Sequence, residues 1–161
     1  MTGLDRLQRF LDGNDVAYQV HVHPMAFTAQ ELASAEHVPG AMVAKVVIVF
    51  VEEEMVMLVL PATRTVDLWA FGVLVGGRPF RFAHEEEFTP RFADCDAGAM
   101  PPFGNLYDVP VYVDGSLATH DRIVFQAGTH DRTIDLAMAD FERLVRPIVS
   151  SFSTSADPSE E

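Results

Sequence analysis

The chain has a single cysteine, Cys95. An intramolecular disulfide is therefore impossible, and so is a cysteine-rich zinc site. Its neighbours Asp94 and Asp96 disfavour a thiolate by like charge, which argues against a cysteine nucleophile. Long apolar runs are also missing. The longest lies around Val46–Val51 and stops at Glu52–Glu54, far short of the ~18 residues that a membrane span needs. The first ten residues, Met1–Phe10, carry charge throughout and contain no apolar core of a secretory leader. The expectation is a cytoplasmic protein with no membrane partner. Positive charge is scarce as well. Eleven basic residues face 24 acidic ones, for a net charge of −13. Such a chain repels polyanions on average, so any nucleic-acid partner must be met by a local positive patch. Only one of the basic residues, Lys45, is a lysine. Lys-to-Arg exchange is cheap at a solvated site but not where a compact ammonium on a flexible stem is needed, which draws attention to the survivor. Metal-ligand clusters are thin. His21-Val22-His23 puts two imidazoles on one strand face, but no third ligand has recognisable spacing, and neither a metal nor a cofactor is expected.

What is present is enough apolar material for one core: 48% of 161 residues. Leu4, Leu7, Phe10 and Leu11 fall at helical spacing before Gly13. Tyr18–Val22 reads as a strand. Thr28-Ala-Gln-Glu31 forms a capping box that opens a helix over 28–37, which Pro39-Gly40 ends. Met42–Val51 and Met55–Pro61 read as a hairpin around Glu52–Glu54. Residues 65–75 look helical with Asp67 near the start, Phe80–Phe82 reads as a short strand, and His84–Phe92 as an acidic helix. Val109–Val113, Ile123–Gln126 and Ile134–Leu136 read as strands and Asp140–Val145 as a helix. One domain over residues 1–149 is expected, followed by a Ser- and acid-rich tail, 150–161, expected to be disordered.

Three segments can carry chemistry. Lys45 sits amid Val43, Val46, Val47 and Ile48 at the head of a buried strand. Its ammonium either snorkels to water or meets a carboxylate or an anionic ligand. Gly98-Ala99-Met100-Pro101-Pro102-Phe103-Gly104 cannot be regular structure. It is either a tight connection or a stiff loop whose backbone N–H groups can stabilise an oxyanion. Ala127-Gly128-Thr129-His130-Asp131 follows a strand end. His130 there is either a surface residue beside an aspartate or an acid, base or donor. No nucleophile elbow, P-loop or dinucleotide fingerprint occurs.

In order and spacing, these segments resemble one family over about residues 20 to 148. The matching text is Phe27-Thr28-Ala29-Gln30-Glu31-Leu32-Ala33, Val38-Pro39-Gly40, Ala44-Lys45-Val46-Val47, Leu60-Pro61-Ala62-Thr63 and Val66-Asp67-Leu68. It continues with Gly98 to Gly104, Val109 to Asp114 and Ala127-Gly128-Thr129-His130. The family is the YbaK, or prolyl-tRNA editing, domain. The resemblance implies an α+β fold: a single compact domain with a mixed, partly closed, barrel-like sheet flanked by helices. It also implies hydrolysis of the ester between a wrong small amino acid (alanine, serine or cysteine, often on tRNA for proline) and the tRNA 3′ end, without a cofactor. By the same resemblance Lys45, Gly98 and His130 are the catalytic set. Phe27, Thr28, Val46, Ala99, Met100, Pro101, Pro102, Phe103, Gly128 and Thr129 are the substrate-binding set. Val46 stands where some characterised members carry Asn or Thr. Lys45 is expected to position the terminal phosphate or ribose rather than act as a base, given an ordinary pKa of about 10.4. Arg64, Arg78, Arg81, Arg122 and Arg132 are candidates for a cationic rim. The alternative is a non-catalytic binding module of the same fold that docks a tRNA synthetase or another protein. A hydrolase for some other small ester is a third option.

Overall fold

The structure is a computed structural model and describes residues 1–25, 29–36 and 38–155. Phe27, Thr28 and residues 156–161 lie outside the described residues, and with them the expected capping box at Thr28 and the end of the expected tail.

Helix α1, Gly3–Gly13, starts at a reciprocal cap between Thr2 and Asp5 and buries Leu7 and Leu11. Two donors that the helix start would leave orphaned are thus satisfied. Strand β1, Tyr18–Val22, follows, then α2, Ala29–Glu36. The hairpin of β2, Ala44–Val51, and β3, Glu54–Pro61, is antiparallel along its whole length, from Ala44 opposite Pro61 to Val51 opposite Glu54. Its turn places Glu52 at φ 56°. Next come β4, Arg64–Val66, α3, Leu68–Leu74, β5, Phe80–Phe82, and the short α4, Glu85–Phe88. The chain finishes with β6, Val111–Asp114, α5, Gly115–Ala118, β7, Arg122–Gln126, β8, Arg132–Ala137, α6, Met138–Val145, β9, Ile148–Ser150, and β10, Ser153–Ser155.

The strands form a five-stranded mixed sheet, β5-β2-β3-β6-β9, a three-stranded sheet, β1-β8-β7, and a two-stranded one, β10-β4. A parallel bridge between Val43 and Val124 ties the head of β2 to β7. The two larger sheets thereby wrap a common core as a mixed sheet that, among the described residues, does not close into a barrel. Because successive strand side chains alternate, the hairpin serves two cores at once. Ala44, Ile48, Met57 and Val59 face the main core with Phe103, Phe125 and Phe141. Val49, Val51, Leu58 and Leu60 face a second one with Phe71, Val75 and Phe152. A small third cluster, Leu32, Ala33, Val43, Ala62 and Val124, packs between α2 and the bridge.

Three expectations need correction. Residues 65 and 66, expected as the start of a helix, belong to strand β4; the helix begins only after Asp67, whose side chain caps Ala70 N–H at 3.0 Å. The acidic helix expected over 84–92 ends at Phe88, with Pro90 just beyond, which cannot continue one. The tail is ordered through Ser155. Phe152 is fully buried in the second core, and β10 pairs with β4. One buried aromatic and three strand residues paired with β4 outweigh a polar composition.

Candidate functional site

Two loops meet at the end of the three-stranded sheet. The first runs from Asp94 to Phe103. Asp96 N–H donates to Gly128 O at 2.8 Å and Gly128 N–H donates to Ala99 O at 2.9 Å. His130 closes the pairing: its Nε2 lies 2.8 Å from Ala97 O. A carbonyl only accepts, so Nε2 carries the proton in that bond. Gly98 and Gly128 adopt φ values of 82° and 93°, a region where a side chain is strained. A Cβ at Gly128 would also meet Leu4 N at 3.1 Å, so α1 is the floor under this loop pair.

Much of the first loop proves to be core. Phe103 is fully buried, with ring centroids 5.5 Å from Phe125 and 5.4 Å from Phe141. Met100 is 5% exposed and Ala99 fully buried; Pro101 and Pro102 are buried too. These positions shape the loop from behind; Phe103 and Met100, both expected in the substrate-binding set, are packed into the main core. Gly98 is exposed. Ala99 N–H is spent on Asp96 O at 3.0 Å, whereas the N–H groups of Gly98 and Met100 donate to no acceptor among the described residues. Thr129 is also committed: its hydroxyl donates to Asp131 Oδ1 and accepts from Asp131 N–H at 3.2 Å.

Lys45 approaches from the hairpin. It stands opposite Leu60 and is half-buried. Counting two residues on from the parallel bridge at Val43 and Val124 sets it level with Gln126, which leads into the second loop. Burial pulls its pKa below the ordinary lysine value, and no carboxylate or acceptor among the described residues offsets that. No hydrogen bond links it to either loop. Val46, next along the strand, points the other way and packs against the main core. Lys45 and Val46 therefore do not share a face, a consequence of strand pleat that adjacency in sequence conceals.

The remaining candidates are settled by their contacts. Burial pushes the Cys95 thiol up to about 11, with Tyr107 opposing and Asp94 adding to the effect. Asp94 ties the loop to α1 by accepting from Arg6 Nε at 2.7 Å and Tyr107 OH at 2.8 Å, a network that sequence reasoning missed because its members are 88 and 13 residues apart. His23 donates from Nδ1 to Pro24 O at 2.6 Å, and its backbone N–H reaches Asp131 O. Of the expected rim, Arg81, Arg122 and Arg132 are each ion-paired to a carboxylate. Among the described residues no helix is long and apolar enough to cross a membrane.

A half-buried cation without a carboxylate partner among the described residues, level with the residue that leads into the His130 loop, is an arrangement for an anionic ligand. The family model that matches residues 23–144 is the aminoacyl-tRNA editing domain. The chain belongs to that family. A curated relative, the multifunctional Ser/Thr-tRNA deacylase ProXp-y of Escherichia coli strain K12, is 29% identical over 102 residues. The match covers 63% of this chain and 60% of the relative. Among solved structures, one described as a candidate trans-editing enzyme for prolyl tRNA synthetase superposes with a TM-score of 0.82 at 22% identity. It covers 96% of this chain and 99% of the other. The hypothetical protein APE2540 gives 0.83 at 16% identity, with coverage of 92% and 99%. These two similarities establish the editing-domain fold.

Proposed function

We propose that this editing domain hydrolyses the ester that joins a small, wrongly attached amino acid (alanine, serine or cysteine) to the 3′-terminal ribose of a tRNA, such as the tRNA for proline. The observation that carries the reading is half-buried Lys45, which has no carboxylate or acceptor among the described residues and lies level with Gln126, at the head of the loop that bears His130. Family membership and the deacylase named among its relatives support it.

In this reading Lys45 holds the terminal phosphate or ribose by charge. The ester carbonyl sits over Gly98, whose N–H, with that of Met100, stabilises the negative oxygen that forms when water attacks. The acyl carbon gains the water oxygen, its bond to the ribose oxygen breaks, and the ribose oxygen takes up a proton. His130 spends its Nε2 proton on Ala97 O, so it fixes the turn on which Gly98 is mounted, and the vicinal ribose hydroxyl assists the water. A pocket for a small side chain excludes large ones sterically, but a missing methylene is worth only ~1–3 kcal/mol. Selectivity among the small amino acids is accordingly partial.

The test is a panel of alanyl-, seryl-, cysteinyl- and threonyl-tRNAs incubated with the purified protein and with Lys45→Ala. Ester release above the spontaneous rate that Lys45→Ala abolishes supports the proposal. Release at the spontaneous rate across the panel, with tRNA or a synthetase still bound, would assign the chain to the non-catalytic binding class.

A further inference from the structure

The ten arginines are not equivalent. Arg6, Arg81, Arg122, Arg132 and Arg143 each hold a carboxylate within 3.2 Å, so their fields are largely cancelled. Arg64 on β4 is held differently. Its Nε donates to Ser153 Oγ at 2.6 Å and its Nη2 donates to Ser153 O at 2.9 Å. Both acceptors are neutral. Asp114 binds the same segment, accepting from Ser153 N–H at 3.0 Å and Phe152 N–H at 2.8 Å, with its other oxygen on Ser116. It makes no ion pair with Arg64. The guanidinium is therefore fixed in direction and half-buried without an ion pair, and Nη1 makes no hydrogen bond, among the described residues.

Its position matters as much as its charge. Leu60 lies opposite Lys45, and Pro61 opposite Ala44. Ala62 N–H then donates to Val43 O at 2.9 Å before the chain turns into β4. Arg64 thus emerges at the same end of the hairpin as Lys45. Two cations without carboxylate partners among the described residues, one a fixed fork, at one end of the hairpin of a chain that carries −13, make a site for a phosphodiester.

We propose that Arg64 binds a backbone phosphate of the single-stranded 3′ end of tRNA, and that Ser153 on β10 is its positioning residue. The last strand thereby becomes part of the substrate site. The inference rests on the tRNA-ester reading above, and extends it to how the polyanion is held.

The experiment is equilibrium binding of a tRNA that carries a non-hydrolysable 3′-aminoacylamide, over a salt series, with the wild type, Arg64→Gln, Arg64→Lys and Ser153→Ala. Each single-strand phosphate neutralised contributes about 0.7 to the slope of log affinity against log salt. Arg64→Gln is expected to lower the slope by about 0.7, so that its affinity deficit shrinks about 2.6-fold between about 50 and 200 mM salt. Arg64→Lys keeps the slope. Ser153→Ala keeps the slope and loses affinity, because the charge stays while its direction is freed. A wild-type slope in Arg64→Gln overturns the phosphate contact, and wild-type affinity in Ser153→Ala overturns the positioning role. A wild type that binds no tRNA overturns the functional reading itself, a result distinct from either.

Discussion

Replacing Lys45 by methionine should make the protein more stable and less active at once. Lys45 sits half-buried at the strand head, with no counter-charge to its ammonium among the described residues. Met keeps an unbranched apolar stem and removes the charge. Half-exposure leaves the ammonium part of its hydration, so the relief is well below a full burial penalty, about 0.5–1 kcal/mol at pH 7. In a domain of this size that corresponds to a melting temperature about 1–4 °C higher. The gain must also depend on pH. The folded state holds the lysine proton less tightly than the unfolded chain, because burial lowers the pKa. The penalty is present in full below the folded pKa and fades as pH rises through it towards the ordinary value of 10.5. Thermal melts of both proteins from about pH 7 to about pH 10 should therefore converge. Ester hydrolysis by the variant should fall about 10- to 150-fold, as for a lost charge-assisted hydrogen bond. A methionine variant that is less stable than the wild type at pH 7, or a gap that stays constant with pH, refutes the claim that the charge is uncompensated.

Other outcomes follow from the two loops and the last strand. Gly128→Ala combines positive φ with a contact of 3.1 Å to Leu4 N and should cost about 2–4 kcal/mol in chemical denaturation. Gly98→Ala meets His130 only at an ordinary 3.7 Å and should cost about 1–2 kcal/mol. His130→Ala orphans the Ala97 carbonyl and should lower kcat, with Gln, which retains a donor, recovering part of it in the same deacylation assay. For Asp114, burial works against ionisation, but the hydrogen bonds from Ser116, Phe152 and Ser153 outweigh it and hold the pKa below the ordinary carboxylate range. Its stabilisation is present above the ordinary Asp value and is lost as pH falls through the lower, folded one. Hydrogen exchange should show residues 150–155 opening first in acid, and Asp114→Ala should give that opening at neutral pH.

Much of this was legible in the sequence where information is local. The hairpin showed in two β-branched runs around Glu52–Glu54, and the irregularity of 98–104 in its prolines and glycines. Lys45 stood out by composition and by order among its neighbours. What escaped depends on partners distant in the chain. The burial of Phe103 was hidden, because nothing local reveals that Phe125 and Phe141 close around it. Residues 65 and 66 were read into the helix that follows, since the strand's pairing partner is the distant β10. Val46 seemed to belong with Lys45 until the pleat set them on opposite faces. The hydrogen bond from His130 to Ala97 spans 33 residues and leaves no periodicity to read.

The pairing of β4 with β10 also fixes an order of events in time. Arg64 and Ser153 are 89 residues apart, so β4 leaves the ribosome long before the strand that completes it. Until then its edge is open and the second core lacks Phe152. Domains made of such late contacts close slowly, and an uncovered edge invites pairing with another chain. A protein cut at residue 149, where composition alone suggests trimming, would remain in that unfinished condition permanently. It should collect in aggregates even though every group around Gly98 is still encoded.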